Sequence, residues 1–248
     1  MSPFKLILCS AAALLATAST SSADLTRDGD IGFVVKPSIG ADVIQTGEGD
    51  FDYAFDDTTN TLNLVGDQSL RVRPGQADSL RASVFVPFAS LGTFPEEATF
   101  DINHDYKVVN SGGSIIGEAS VKVRGVVAVY ERGNYDAVDP STSDLGPILN
   151  GFGYTTEQDE NGYTLVDHED ALSWILVPGE SYVGVVSFII DVNGALLSQL
   201  DPIAAGTLEA GAVSGFDGLT AQFNSVPVPE PASMLGLCEM AGLLLRRR

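Results

Sequence analysis

The sequence predicts an all-β protein: a single β-sandwich, of jelly-roll or immunoglobulin-like type, with about eight to ten strands. Three observations carry that expectation. Apolar and polar residues alternate at a period of two along most of the chain, whereas helical periodicity is thin. The 26 glycines among 248 residues supply turns for many short strands. Hydrophobic residues make up 44% of the chain, enough for a packed core and too many for a disordered spacer.

The elements follow in chain order. Phe51, Tyr53 and Phe55 alternate with Asp52, Ala54 and Asp56; a polar turn follows at Asp57-Thr58-Thr59-Asn60, and Leu62 and Leu64 resume the pattern, which reads as a hairpin. Leu80, Ala82, Val84, Val86 and Phe88 share one face of the next strand. Phe100, Ile102, His104, Tyr106 and Val108 do the same, with Asp101, Asn103 and Asp105 on the opposite, polar face. Val121, Val123, Val127 and Val129 point inward from another strand, with Lys122 and Arg124 outward. Residues 182–192 are apolar on both faces, as expected in the middle of a sandwich. Leu219, Ala221 and Phe223 close the domain, with Thr220, Gln222 and Asn224 outward. Two exceptions to strand are expected: a short helix over 167–176 capped by Asp167, and a helical turn over 196–200. Residues 132–170 read as a long irregular insertion with a hairpin at Asn161-Gly162, the kind of segment that often carries function. With no repeat and no internal linker, 24–225 is expected to be one domain.

The two ends read differently from the body. Residues 1–23 have the layout of a secretory signal peptide: Lys5, an apolar stretch over 6–18, and small residues at Ser21-Ser22-Ala23, with cleavage expected after Ala23 or, alternatively, after Ala18. Residues 226–248 begin with a proline-rich stretch, Val226-Pro227-Val228-Pro229-Glu230-Pro231, which refuses helix. An apolar segment over 232–245 follows, and the chain stops at Arg246-Arg247-Arg248, the layout of a membrane stop with its cations left inside.

Pro229, Glu230 and Pro231, the apolar segment and the arginine cluster, in that order, closely resemble the PEP-CTERM sorting tail. The resemblance covers about the last 23 residues. It implies recognition by a membrane-embedded exosortase, cleavage near the Pro-Glu-Pro motif, and a bacterial source that makes extracellular polysaccharide. The apolar segment, at about 1.5 Å per residue, is shorter than a hydrocarbon core of about 30 Å, and Glu239 lies inside it. Both features favour transient membrane insertion over a permanent anchor.

Charge excludes some functions. The formal net charge is -20, with 33 acidic and 13 basic residues. Such a field repels phosphate backbones, so no nucleic-acid partner is expected. The two cysteines, Cys9 and Cys238, lie in the apolar terminal segments, which leaves the body without a disulfide or a Cys-His metal site. There is no nucleotide-binding glycine fingerprint and no Gly-x-Ser-x-Gly elbow. His104 falls on an apolar face and reads as a satisfied core histidine; His168, in Asp167-His168-Glu169-Asp170, reads as part of a solvated loop. No catalytic residue is assigned, and the chain is expected not to be an enzyme.

Two ligand sites are considered. No cofactor is required, but Asp24, Thr26, Asp28 and Asp30 place oxygens at positions 1, 3, 5 and 7 of a calcium-type loop, with Gly29 at 6. The acid at position 12 is missing; Val35 stands there. Tyr130, Tyr135, Phe152, Tyr154 and Tyr163 cluster in sequence around 132–170 and are candidates for an aromatic sugar platform. The single tryptophan, Trp174, is expected to be buried. The main functional expectation is an exported, non-enzymatic surface or matrix protein associated with exopolysaccharide or biofilm. A carbohydrate-binding module is the alternative, and a glycan-active enzyme comes third.

Overall fold

The computed structural model describes residues 25–37, 51–72, 77–92, 95–110, 119–159, 162–194, 204–210 and 218–227. They form twelve strands: β1 (Leu25–Arg27), β2 (Gly32–Pro37), β3 (Asp52–Asp56), β4 (Thr61–Val72), β5 (Ala77–Ser90), β6 (Glu96–Asn110), β7 (Ala119–Glu131), β8 (Ile148–Gln158), β9 (Gly162–Leu176), β10 (Ser181–Gly194), β11 (Ala204–Ala210) and β12 (Gly218–Pro227). Every pairing is antiparallel.

The strands make two sheets of six. The first runs β5-β10-β7-β8, with β1 and β2 placed end to end along the outer edge of β5. The second runs β3-β4-β12-β6-β9, with β11 continuing the position of β12 between β4 and β6. Without the edge strands β1, β2 and β3, this is the strand order of a jelly roll, not of an immunoglobulin domain. Strands number twelve rather than eight to ten because two positions are each shared by two short strands.

Period-two alternation positions the core. Along β6 the even-numbered residues point inward and the odd-numbered ones outward, over its full fifteen residues. Phe100, Phe223 and Phe88 meet at the centre, with the Phe100 and Phe223 rings edge to face at 4.0 Å. Trp174 is 6% exposed and packs on Phe88 and Phe100, as its apolar neighbours led one to expect. The β3–β4 hairpin is present, with its turn at residues 57–60 and Asn60 in the left-handed region at φ 50°. That conformation suits asparagine better than most side chains.

Two expectations are corrected. Residues 167–176 are not a helix but the second part of β9, paired with β6 from Glu96 to Asp105. Asp167 and Glu169 alternate there with His168 and Leu172 in a strand rhythm that the exposed Asp170 conceals. Nor is 132–170 an irregular insertion: β8 and most of β9 lie within it, and the long non-strand stretch among its described residues is 132–147. β8 and β9, on either side of the expected hairpin at Asn161-Gly162, belong to different sheets and do not pair with each other; Asn161 itself lies outside the described residues. The expected helical turn at 196–200, the signal peptide of 1–23 and the residues of the tail from 228 onward lie outside the described residues. β12 continues to Pro227, two residues past the expected boundary at 225.

Leu25 pairs with Ser90 at the end of β5, and Pro227 pairs with Glu96 at the start of β6. The described domain is therefore entered and left at one and the same end of the sandwich.

Candidate functional site

The outer face of the second sheet carries a mainly polar band across its middle. Register lines up side chains from five neighbouring strands: Ala54, Asn63, Thr220, Asn103 and Glu169 form one row across the sheet. The next row is Asp56, Thr61, Gln222, Asp101 and Ala171. A shallow groove of about 500 Å³ runs over both rows on the β12, β6 and β9 side, lined by Asp101, Asn103, Glu169, Asp170, Thr220 and Gln222 together with the apolar Ile102 and Ala171.

Several of these groups are held in place. Asn224 Nδ2 donates to Asp101 Oδ2 at 2.8 Å, and Thr220 Oγ1 donates to Asn63 Oδ1 at 2.9 Å. Gln222 Nε2 reaches the Thr59 carbonyl at 3.4 Å. Asn103 Oδ1 is shielded from solvent and has no hydrogen-bond partner. Together the groove offers carboxylate acceptors, amide donors and a hydroxyl at strand spacing, about 4.8 Å from one strand to the next. That chemistry suits a ligand rich in hydroxyl groups. Among the described residues, no three of His, Cys, Asp and Glu converge as a metal-ligand group.

Behind the groove, on the inner face of the same strands, lies a buried polar cluster. His104 is fully buried, with its ring 4.3 Å from Tyr154 and 6.2 Å from His168. Neither ring nitrogen of His104 has a partner, so it is a core histidine but not a satisfied one. Burial pushes its pKa down to about 3, with the neighbouring His168 adding to the effect. Burial also raises the Tyr106 hydroxyl and pushes the Tyr154 hydroxyl well above the usual range. His168 sits on β9, not in a loop, 3.8 Å from Asp170.

The five aromatic residues singled out from the sequence do not share a surface. Tyr130 and Tyr135 pack on the outer face of the first sheet against Phe85, Val183 and Val185. Phe152 and Tyr154 turn inward to the core, as residues two apart on one strand must. Tyr154 lies over Gly125, its partner on β7, where an added Cβ would stand 2.0 Å from the ring. Only Tyr163 is exposed, at 63%, on the outer face of the groove's sheet, with the Lys107 ammonium 5.4 Å from its ring centre. An aromatic platform is thus not formed; these neighbours in sequence lie on both faces of the first sheet and on the outer face of the second.

The calcium-type spacing is put to other uses. Thr26 lies in β1, paired with Ala89, and Asp28 accepts from Arg132 and from Ser181. The Asp30 carbonyl accepts from the Tyr135 hydroxyl at 2.9 Å. Asp24 lies outside the described residues. Ala23, Pro229, Glu230, Pro231, Arg246, Arg247 and Arg248, the signal and sorting residues, also lie outside them. No helix among the described residues is long and apolar enough to cross a membrane.

No protein-family model matches the chain, and no curated protein matches its sequence. Solved structures match at low identity. The enzymatically active domain of a tailspike protein from bacteriophage CBA120 is 10% identical, with a TM-score of 0.28, over 79% of this chain and 19% of that one. The adhesin domain of Epf from Streptococcus pyogenes is 11% identical, with a TM-score of 0.29, over 84% of this chain and 65% of that one. The family 11 carbohydrate-binding module from Clostridium thermocellum, solved with a mixed-linked tetrasaccharide, is 9% identical, with a TM-score of 0.20, over 83% and 95%. The chain spans about a fifth of the tailspike domain's length.

Proposed function

We propose that the chain is a non-catalytic polysaccharide-binding β-sandwich, exported to the cell surface or extracellular matrix. The observation that carries the binding half is the groove over β12, β6 and β9. It presents Asp101, Asn103, Thr220 and Gln222 in register on a rigid sheet, where loss of side-chain freedom on binding is small. Carboxylates and amides in that arrangement satisfy pairs of sugar hydroxyls, and the open groove accommodates a chain passing across it. An open face also leaves bulk water at the bound ligand, which suits binding better than the water-excluded electrostatics of an active site.

Export rests on the sequence signals, Ala23 with the apolar segment before it, and sorting by an exosortase-type partner rests on Pro229-Glu230-Pro231 and Arg246 to Arg248. The acidic body is consistent with a hydrated matrix and repels nucleic acid.

The experiment is titration of the full chain against a panel of soluble neutral polysaccharides, with the parent and a Gln222→Ala, Asn103→Ala double variant. Binding of at least one polysaccharide, weakened about tenfold or more in the variant at unchanged thermal stability, supports the reading. Absence of binding to every member of the panel, or equal affinity in the variant, overturns it.

A further inference from the structure

The opposite face of the sandwich is different in charge. On the outer side of the first sheet, Lys36 of β2 stands directly opposite Arg81 of β5. Like charges paired across adjacent strands repel, and each such pair costs stability. In a chain with 13 cations against 33 acids, this juxtaposition is conspicuous.

Arg81 is also restrained. Its Nε donates to Ser83 Oγ at 3.0 Å and a terminal nitrogen to Ser187 Oγ at 3.2 Å, while those two buried hydroxyls bond each other at 2.8 Å. Hydroxyls orient the guanidinium without neutralising it, and no carboxylate among the described residues pairs with it. The contrast with the next cation across the sheet is direct: Arg124 is held by Asp191 at 2.8 Å. Among the described residues Lys36 pairs with Asp139 alone, 3.5 Å away and 83% exposed, a contact of little energetic weight.

These two cations open onto a pocket of about 110 Å³ roofed by Pro140, Ser141 and Thr142. The roof belongs to the 132–147 segment, which Tyr135 pins to the sheet through hydrogen bonds to the Asp30 and Phe85 carbonyls. Gly32 permits the close approach: an added Cβ there would stand 2.9 Å from both Pro140 and the Tyr135 hydroxyl. The pocket is small, a size suited to an oxyanionic substituent of a longer polymer.

We infer that the Arg81–Lys36 pocket binds the oxyanion, carboxylate or sulfate, borne by an acidic polysaccharide. A planar guanidinium with free donors is matched to such a group, and the ammonium opposite supplies the second charge. The local cationic pair is what lets an anionic polymer approach a chain whose overall field repels it. The polymer half of this inference rests on the glycan-binding reading above; the anion pocket itself does not.

The test uses the full chain at low ionic strength against polygalacturonate, dextran sulfate and neutral dextran, with Arg81→Gln, Lys36→Gln and, as a control, Arg124→Gln. At least one acidic polymer is expected to bind about tenfold or more tighter than dextran, with the difference lost in Arg81→Gln, reduced severalfold in Lys36→Gln and retained in Arg124→Gln. Which acidic polymer binds identifies carboxylate or sulfate as the source. Acidic polymers binding no better than dextran, or binding the first two variants like the parent, overturns the inference. Should Arg81→Gln fail to fold, Lys36→Gln, altered at an exposed position, decides alone. A groove-dependent neutral-glycan signal without acidic preference removes the pocket and keeps the proposed function; the reverse pattern removes the groove and keeps the pocket.

Discussion

The imidazole of His104 lies 4.3 Å from the ring of Tyr154, fully buried and with neither nitrogen hydrogen-bonded. Buried without a partner, this imidazole resists protonation in the folded chain far more than in the unfolded one.

Stability is therefore expected to fall with acid in a defined window. Folded His104 titrates near 3, while in the unfolded chain it titrates near 6.5. Above pH 6.5 both states are neutral there and the group contributes no pH dependence. Between 6.5 and 3 only the unfolded state gains the proton, so stability is lost progressively on acidification, by several kcal/mol at the lower end. His104→Leu is expected to flatten this part of the profile and to match or exceed the parent at pH 7 by about 1 kcal/mol, since it removes an unpaired buried polar group. Denaturant midpoints followed by Trp174 emission measure both; equal pH profiles for parent and variant would falsify the assignment.

Gly125→Ala is expected to destabilise by about 1–3 kcal/mol, because the new Cβ enters the space of the Tyr154 ring. The cost should shrink when Tyr154 is also truncated to alanine, so that the two changes are non-additive. Additive costs in a double-mutant cycle count against the packing described.

Tyr135→Phe removes the hydroxyl that donates to Asp30 and Phe85 but keeps the ring on Phe85, 6.4 Å away. A loss of about 1 kcal/mol is expected. Amide exchange should quicken in 132–147, at Asn134 and Gly146, whose amides bond Asp144 and Glu131, while β6 and β10 keep their protection.

Asp101→Ala frees the Asn224 amide that donates to it. If the groove is a glycan site, affinity falls by about 1–3 kcal/mol with thermal stability changed by much less. Isothermal titration and calorimetric melting separate the two effects.

Removal of Arg246 to Arg248 tests the sorting proposal. Exosortase-type processing predicts that the shortened chain accumulates with its tail attached, whereas the parent loses mass near Pro229. Intact-mass measurement of the surface fraction distinguishes these outcomes, and identical masses speak against sorting by the tail.

Much of the jelly roll is legible in the sequence, for a physical reason. A half-buried strand must alternate, and Phe100 to Val108 do so without interruption, while Leu80 to Phe88 keep the inward set but add a buried Phe85 on the other face. Where alternation is masked the reading fails: Asp167, Glu169 and Asp170 bracket His168 so closely that β9 resembles a capped helix. The groove is less legible. Asp101, Asn103, Thr220 and Gln222 can each be read as outward, but only register brings residues more than a hundred positions apart into adjacent rows. Lys36 and Arg81 carry no local signal at all, since their meeting depends on β2 joining the edge of β5. The aromatic candidates erred in the opposite direction, because proximity in sequence says nothing about which face of which sheet a ring occupies.

The position of β12 also has a mechanical side. A pull on the chain beyond Pro227 acts along a strand clamped between β6 and β4, its ladder to β6 running from Gly218 to Pro227. Tension in that direction shears the rungs together instead of opening them one by one. Beside it, the three-residue edge strand β1 offers only a short seam to peel. A domain held by its C-terminal segment against flow would therefore carry load through the middle of its second sheet, where yielding requires that sheet to break as a unit.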